Sequence, residues 1–247
     1  MDHINLFQTN AEFNAAYNGS SYVEPWVSFT MENSGMSFNK EPEPAPSHDY
    51  VEIGGIKWAT MNLGATAVTD YGKYYAWGET TGYYENQAGV DKDFTWEDYE
   101  LGDGTYHGNP ENMTKYNETD GLTTLQAVDN AVMQELGGNW KMPTVTEWQT
   151  LMSSVDSAWT DDYQGSEIAG LVCTDKTDST KVLFFPAAGY CESGPPSQGF
   201  SCGFWCDSLN TQDVTRAKYA YFGESSISLN SSEFRYVGYT IRAILDE

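Results

Sequence analysis

Four cysteines carry the most reactive side chains of this chain, and their spacing limits the chemistry that they can perform. Cys173, Cys191, Cys202 and Cys206 include no Cys-x-x-Cys pair, and the three histidines of the chain are widely separated. A structural zinc site needs closely spaced Cys and His ligands, so we expect no zinc. A disulfide among the last three cysteines and free buried thiols both stay open as alternatives.

A catalytic cysteine needs a neighbouring positive charge that lowers its pKa and so produces the thiolate. The closely spaced candidates, Cys202 and Cys206, have aromatic residues and glycine beside them and no basic residue. The carboxylate of Asp207 raises the pKa of a neighbouring thiol. The pattern favours structural cysteines and indicates a protein that is not an enzyme.

Carboxylates are abundant, with 36 Asp and Glu residues against 12 Lys and Arg residues. Calcium takes about six to eight oxygen ligands, and the acidic segments 117–120 and 161–162 lack the spacing of an EF-hand. We expect these segments to be solvated loops and the protein to have no cofactor. A structural calcium ion within 100–120 stays open as the alternative. The three histidines are too scattered to indicate a Ser–His–Asp catalytic triad. No sequence feature singles out two of the 36 carboxylates as a glycosidase-like catalytic pair.

The net charge of −24 excludes one broad class of partner. A surface this negative repels phosphate backbones, so we expect no nucleic-acid binding. The first residues lack a basic region followed by an apolar run, and no segment reaches the roughly 18 apolar residues of a membrane span. We therefore expect cytoplasmic synthesis, no signal peptide and no membrane insertion.

The last fifty residues alternate between small or apolar framework residues and chemically unrelated ones, as in the segments 217–222 and 226–230. Neighbouring residues of a strand point to opposite faces of a sheet. One face can then be a fixed core while the other is a recognition surface rich in Tyr, which provides contact area at low entropic cost. This pattern predicts a ligand-binding surface built from residues 205–236.

The predicted binding surface consists of the outward-facing positions of this segment, and the framework consists of the inward-facing ones. We expect the framework at Ala220, Phe222, Ile227, Leu229 and Ile241. The predicted ligand-binding residues are Asp207, Ser208, Asn210, Gln212, Asp213, Thr215, Arg216, Lys218, Tyr219, Tyr221, Glu224, Ser226, Ser228, Asn230, Ser232, Phe234 and Val237.

The elements that precede this segment divide into three parts. Residues 1–41 predict a small helix–hairpin unit, with a capping box at Thr9 and Glu12 and two strand-like runs around residues 32–35. Residues 42–49 contain alternating prolines, which indicate a semi-rigid linker. Residues 50–247 predict the ligand-binding domain.

Within 50–247, local signals predict both strands and helices. A hairpin is expected over 51–63 with its turn at Gly54-Gly55, and the polar segment 79–120 predicts a long irregular loop. A helix is expected over 124–136, where Leu125, Val128, Val132 and Leu136 have helical spacing and form an apolar stripe. A second helix is expected from Thr144, where Glu147 completes a capping box and Trp148, Leu151 and Met152 form the apolar stripe. Helices followed by many short strands predict an α+β fold, in which the first strand (51–58) pairs with the last (238–245).

Several ordered motifs suggest a family. They are 57–65 (KWATMNLGA), 74–79 (YYAWGE), 137–144 (GGNWKMPT), 147–148 (EW), 185–190 (FPAAGY), Trp205 and 238–242 (GYTIR). Over 50–247 the chain resembles the C-type-lectin-like domain of formylglycine-generating-enzyme type, as found in variable proteins of diversity-generating retroelements and in receptor-binding proteins of gut Bacteroidales phages. Residues 22–28 resemble the openings of phage structural proteins from the same hosts.

The resemblance implies a C-type-lectin-like fold with a twisted antiparallel sheet, two helices and long irregular loops. It also implies a variable, tail-associated protein of the virion that recognises a host surface protein or glycan through its C-terminal surface, with residues 1–46 attached to a tail component. A bacterial cell-surface adhesin or lectin module is the first alternative. The second is a formylglycine-generating-type oxidase, which would use Cys202 and Cys206 with copper.

Overall fold

The computed structural model describes residues 27–32, 35–40 and 48–246. The chain divides into two compact units, Met1–Ala45 and Pro46–Glu247. In the smaller unit, strand β1 (Val27–Glu32) pairs antiparallel with strand β2 (Gly35–Lys40), as the predicted hairpin requires. The predicted helix after Thr9 and most of the predicted linker lie outside the described residues.

The larger unit begins with the predicted glycine hairpin. Strand β3 (Tyr50–Ile53) pairs antiparallel with strand β4 (Ile56–Asn62), and the turn residues Gly54 and Gly55 have φ angles of 62° and 75°. Two consecutive left-handed residues are what a tight type I′ turn needs, and glycine adopts them without steric cost.

This hairpin belongs to a four-stranded sheet that also contains β5 (Trp140–Lys141) and the last strand, β12 (Arg242–Leu245), in the order β3-β4-β12-β5. The last strand therefore pairs with β4, the second strand of the hairpin, and with β5. The prediction that residues 51–58 pair with the last strand is wrong for β3, which forms the edge of the sheet, and is confirmed only for Lys57 and Trp58 of β4.

The predicted helix over 124–136 is interrupted. The chain forms a 3₁₀ turn (Ala127–Asp129) and then a short helix, α1 (Ala131–Glu135). Asn130 separates them, because its side-chain oxygen accepts hydrogen bonds from the backbone of Val132 and Met133 and so caps a new helix start. Val128, expected on the apolar stripe, is 65% exposed.

The second predicted helix is confirmed as α2 (Val145–Ser154). Thr144 accepts a hydrogen bond from the Glu147 backbone, and the Glu147 side chain accepts one from the Thr144 backbone, which completes the capping box. Trp148 and Leu151 are buried, so the predicted apolar stripe faces the core.

Two further sheets complete the larger unit, and both are three-stranded and antiparallel. The first has the order β6 (Val155–Thr160), β7 (Gly170–Asp175) and β8 (Val182–Pro186). The second has the order β11 (Ile227–Phe234), β10 (Arg216–Gly223) and β9 (Ser201–Leu209). The second sheet carries most of the predicted binding residues.

The apolar residues form two buried clusters. Trp77, Trp205 and Tyr239 belong to the first cluster, and Trp58 and Trp148 belong to the second. The tryptophans of the ordered sequence motifs lie in the core, since Trp58, Trp77, Trp140 and Trp148 are all buried.

The predicted α+β class with a C-type-lectin-like fold is wrong. The described residues are mostly β: they contain twelve strands and only two α-helices, of five and ten residues. The larger unit has three small antiparallel sheets rather than one twisted sheet flanked by helices. The overestimate of helix came from 124–136, where the capping side chain of Asn130 outweighs the apolar spacing.

The segment between β4 and α1 is irregular, as predicted for 79–120. Its described backbone forms isolated bridges, such as Tyr74 with Tyr83 and Gly102 with Met113, and one 3₁₀ turn (Pro110–Asn112). Among the described residues, no helix has the length and apolar character needed to cross a bilayer.

Candidate functional site

One face of the β9-β10-β11 sheet is covered by helix α2. The rings of Phe204 and Phe222 lie 5.4 and 5.5 Å from that of Trp148, and Leu229 of β11 packs on the same cluster. Ala220 is buried in this cluster too. The helix thus holds this face as a framework. The opposite face packs on the first apolar cluster through Trp205 and Ala217, and it leaves Tyr219 and Tyr221 partly exposed.

The opposite face carries a row of tyrosines. The rings of Tyr219 and Tyr239 stack with centroids 4.8 Å apart, and the ring of Tyr190 lies 5.9 Å from that of Tyr239. Tyr190 is 40% exposed, Tyr219 is half-buried, and Tyr239 is buried between them. Burial raises the pKa of Tyr219 and of Tyr239, so both phenols stay protonated and can donate or accept hydrogen bonds.

A glycine makes room for this row. A Cβ atom at Gly203 would lie 2.2 Å from a ring carbon of Tyr239, which is far inside van der Waals contact. Gly203 pairs with Tyr221 across β9 and β10, so Tyr221 stands beside Tyr239 on the same face. We call Tyr190, Tyr219, Tyr221 and Tyr239 the tyrosine face.

The edge strand β11 extends the tyrosine face with small hydroxyl side chains. Ser231 pairs with Tyr219 and Ser228 pairs with Tyr221. The register shifts between these pairs, and the two serine Oγ atoms lie 2.7 Å apart. The extra residue of this bulge brings both hydroxyls to the tyrosine side of the sheet.

Two carboxylates border the tyrosine face. Glu233 is half-buried on β11, and its charge contributes to the raised pKa of Tyr219 and of Tyr239, after burial. Glu192 is exposed and accepts a hydrogen bond from the Tyr236 phenol at 2.6 Å. Paired backbone hydrogen bonds between Cys191 and Gly238 place Glu192 beside the last part of the chain.

A second group of rings adjoins Glu233. The rings of Phe234 and Tyr236 stack 5.7 Å apart, and that of Trp96 lies 4.7 Å from that of Tyr236. The guanidinium of Arg216 lies 3.7 Å from the Phe234 ring centroid and donates a 2.9 Å hydrogen bond to Glu233. This arrangement combines an aromatic ring and a carboxylate around one cation.

The predicted binding residues do not form a single surface. Tyr219, Tyr221 and Ser228 lie on the tyrosine face, and Glu224 and Ser226 are exposed at the adjoining turn. Lys218 precedes Tyr219 on β10 and pairs with Ser232 of β11. Because side chains alternate along a strand, both residues point to the face that helix α2 covers. Asn230 is exposed within the bulge of β11. The remaining positions lie at or beyond the far end of the sheet, where β9 ends, β10 begins and β11 ends.

At the far end, the predicted residues contact other segments. Asp207 and Ser208 lie against residues 123–125, with a bridge from Thr124 to Ser208. Burial raises the pKa of Asp207. Asn210 donates a hydrogen bond to Ser232 at 3.2 Å. Phe234, Gln212 and Asp213 line a cavity of about 460 Å³, and Arg216 pairs with Asp213 beside it.

Two predicted binding residues are buried, which corrects their assignment. Thr215 is 3% exposed, and its hydroxyl and backbone amide both donate hydrogen bonds to the Asp213 carboxylate. Val237 is 1% exposed, because the segment after β11 leaves the sheet and enters the first apolar cluster. Of the framework residues, Ile227 is 44% exposed, since it begins β11 next to the turn.

Four residues of the site were missed: Tyr190, Glu192, Ser231 and Glu233. Ser231 and Glu233 fall inside the alternating segment, but the bulge changes the side to which they point. Tyr190 and Glu192 come from a loop before β9, and nothing local in the sequence links that loop to β10. Tyr239 was assigned to a framework motif, which its burial supports.

Another cavity, of about 640 Å³, lies between the loop after β4 and residues 84–86 and is bordered by Ile168. Tyr71, Tyr84, Asp70 and Glu85 line it. One oxygen of Asp70 is already bonded by the backbone of Thr66 and Ala67 and by the Thr66 hydroxyl. This cavity lies outside the segment that the sequence indicated.

The four cysteines are free and buried, so the open alternative of a disulfide is wrong and that of free thiols is confirmed. Cys202 and Cys206 lie on the same strand, where four residues span roughly 13 Å, about twice the Cα separation that a disulfide allows. Burial raises the pKa of all four thiols, to about 12 for Cys173 and for Cys191. This environment opposes the thiolate that an oxidase would need.

No group of three or more His, Cys, Asp or Glu residues in the described part of the chain is arranged to hold a metal ion. Within 100–120, the carboxylates of Asp103 and Asp120 instead accept hydrogen bonds from nearby backbone amides of Thr105, Tyr116 and Leu122. The pKa of Asp103 is lowered first by the hydrogen bond from the Thr105 hydroxyl, and that of Asp120 is lowered by its backbone hydrogen bonds.

Comparison of the chain with protein-family models, with curated proteins and with solved structures finds no match.

Proposed function

We propose that this chain is a non-catalytic ligand-binding protein that recognises its partner through the tyrosine face. The observation that carries the proposal is the stacked pair Tyr219 and Tyr239, flanked by Tyr190 and Tyr221 on a sheet whose other face is fixed by helix α2. Rigid tyrosines on a preorganised support are typical of binding surfaces, because little side-chain entropy is lost when a partner docks.

The supporting sheet suits this role in two ways. Ser228 and Ser231 offer hydroxyl groups beside the rings, so polar and apolar contacts alternate across a short distance. The residues of the opposite face are packed in the second apolar cluster, so they can hold the sheet when side chains of the tyrosine face are exchanged. A surface of this kind tolerates substitution without loss of the fold, as a variable recognition protein requires.

We further propose that the chain acts on a phage particle, as its sequence motifs imply, with residues 1–46 attached to a tail component and the tyrosine face directed at a host surface protein or glycan. The gene neighbourhood tests this placement. Phage structural genes, or a reverse transcriptase gene beside a near-copy of the 3′ end, support it. A neighbourhood with neither overturns the phage assignment and leaves the binding role to the next experiment.

The binding role is tested with the fluorescently labelled chain on whole cells of a panel of gut Bacteroidales strains, read by flow cytometry. We expect at least one strain to bind, and Tyr219→Ala and Tyr221→Ala to reduce cell binding at least tenfold. Tyr50→Ala is the matched control, because Tyr50 is an exposed tyrosine on the edge strand of another sheet. Equal losses in all three variants, or no bound strain, overturn the proposal.

A further inference from the structure

The tyrosine face is bordered by negatively charged side chains. Glu192 and Glu233 border it, and the raised pKa of Tyr236, due first to burial, reflects the bond to Glu192 and the charges of both carboxylates. Among the described residues, the hydrogen bonds to these two groups fall on Oε1 of each. The second oxygen of each carboxylate remains for a partner.

The cation nearest to this surface is already neutralised. Arg216 forms ion pairs with Asp213 at 3.5 Å and with Glu233 at 2.9 Å, and its guanidinium lies on the Phe234 ring. Lys218 is turned to the other face of the sheet by the alternation of β10. The tyrosine face therefore presents electron-rich rings and a net negative charge, because Arg216 is shared by two carboxylates and Glu192 forms no ion pair among the described residues.

Arg216 also shows within this chain how such a surface binds a cation. Its guanidinium is held by a ring on one side and by carboxylate oxygens at its edge. Cation–π attraction acts within about 6 Å of a ring centroid, and a carboxylate strengthens it by a charge-assisted hydrogen bond. Tyr219, whose pKa the nearby Glu233 charge helps to raise after burial, and the 40% exposed Tyr190, two residues before Glu192, offer the same two components.

We infer that the tyrosine face binds a protein surface that presents lysine or arginine side chains, and that it disfavours acidic glycans. This inference rests on the proposed function, since it names the chemistry of the partner of that same surface. The net charge of −24 acts in the same direction, because it attracts cationic partners at long range and repels sulfated or sialylated chains.

The test uses three probes in fluorescence anisotropy at 150 mM salt, which screens distant charges. The probes are a labelled peptide of alternating Arg and Gly, its Glu–Gly counterpart, and heparin. We expect the Arg–Gly peptide to bind more tightly than the other two. The double variant Glu192→Gln/Glu233→Gln should weaken that binding at least tenfold.

The matched control is Glu52→Gln/Glu167→Gln, which removes the same charge from exposed positions on β3 and on the loop before β7. We expect it to change the affinity less than twofold. Equal weakening by the two double variants would show only general attraction to an acidic protein and would overturn the inference, as would tighter binding of heparin or of the Glu–Gly peptide. Thermal unfolding of each variant verifies that it is folded.

Cell binding separates this inference from the proposed function. If Tyr219→Ala abolishes binding to cells while Glu192→Gln/Glu233→Gln leaves it unchanged, the cationic partner is wrong and the tyrosine face remains the binding surface. If both variants lose binding and Tyr50→Ala does not, both proposals are supported. If neither variant loses binding, both fail.

Discussion

Arg235 donates a hydrogen bond from Nε to the phenol oxygen of Tyr99 at 2.9 Å, and both side chains are buried. This bond joins the segment after β11 to the long irregular loop between β4 and α1. The remaining guanidinium donors bond the backbone carbonyls of Lys115, Tyr116 and Val214. A planar guanidinium has enough donors to hold three loop segments at once, so Arg235 fixes these segments around the chain that follows β11.

We predict that Tyr99→Phe destabilises the protein by about 2 kcal/mol, because Arg235 loses an acceptor in a buried site and the bond from the phenol to the Trp77 carbonyl is lost as well. Urea unfolding measures the change in the free energy of unfolding. Tyr106→Phe removes an exposed phenol from the same irregular loop and should change it by less than about 0.5 kcal/mol. Equal stability of the two variants would contradict this role of Tyr99.

Local signals in the sequence predicted local structure well. The pair Gly54-Gly55 specifies its turn through backbone conformations that glycine adopts freely, and the Thr144–Glu147 capping box specifies where α2 begins. Both depend on residues within a few positions of each other. Apolar spacing alone was insufficient at 124–136, because one asparagine offers the backbone a competing set of hydrogen bonds.

The tyrosine face, our proposed binding surface, was harder to predict, since it depends on register and on contacts distant in the chain. Alternation correctly separates Tyr219 from Ala220 on β10. The bulge on β11 then brings Ser231 onto the tyrosine face, and no residue type in the sequence specifies that shift. Tyr190 joins the surface by a ring contact across 49 positions of the chain, which a single sequence does not reveal.

The thiols should be unreactive in the folded protein. All four cysteines are buried and their pKa values are raised by burial, so few thiolates exist at pH 8. We expect no reaction with Ellman's reagent under native conditions and four equivalents in guanidinium chloride without reductant. Rapid labelling of Cys202 or Cys206 in the native state would reopen the oxidase alternative. Fewer than four equivalents on unfolding would indicate a disulfide.

The turn between β7 and β8 should make stability depend on pH. The carboxylate of Asp175 accepts hydrogen bonds from the Thr177 hydroxyl, the Thr177 backbone and the Asp178 backbone, and these bonds lower its pKa below 3.8. A lowered pKa means that the folded state favours the ionised form. The resulting stability is present above about 3.8 and is lost as the pH falls through the folded value.

We therefore expect Asp175→Asn to lower the melting temperature at pH 7, and we expect its difference from the unsubstituted protein to shrink as the pH falls from 4 toward 2. Calorimetry across this range measures the difference. Asp156→Asn removes one charge from an exposed position of β6 and controls for net charge. A difference between Asp175→Asn and the unsubstituted protein that is constant with pH would show that the hydrogen bonds do not depend on the ionised form.

Gly203 should be essential for the geometry of the tyrosine face. In Gly203→Ala, the new methyl group must displace the Tyr239 ring, because it would lie 2.2 Å from it, and Tyr219 stacks on that ring. We expect a loss of about 1–3 kcal/mol in the free energy of unfolding, which is typical of overpacking. We also expect a loss of cell binding at least as large as that of Tyr219→Ala.

The matched control is Gly194→Ala, where a new methyl group meets no atom within 4 Å and the backbone is not left-handed. This variant should keep both the stability and the binding of the unsubstituted protein. Gly203→Ala acts through Tyr239, so the double variant Gly203→Ala/Tyr239→Ala should recover part of the stability that the first substitution removes, relative to the sum of the two single effects. Full additivity of the two substitutions would mean that the Tyr239 ring does not depend on the space that Gly203 leaves.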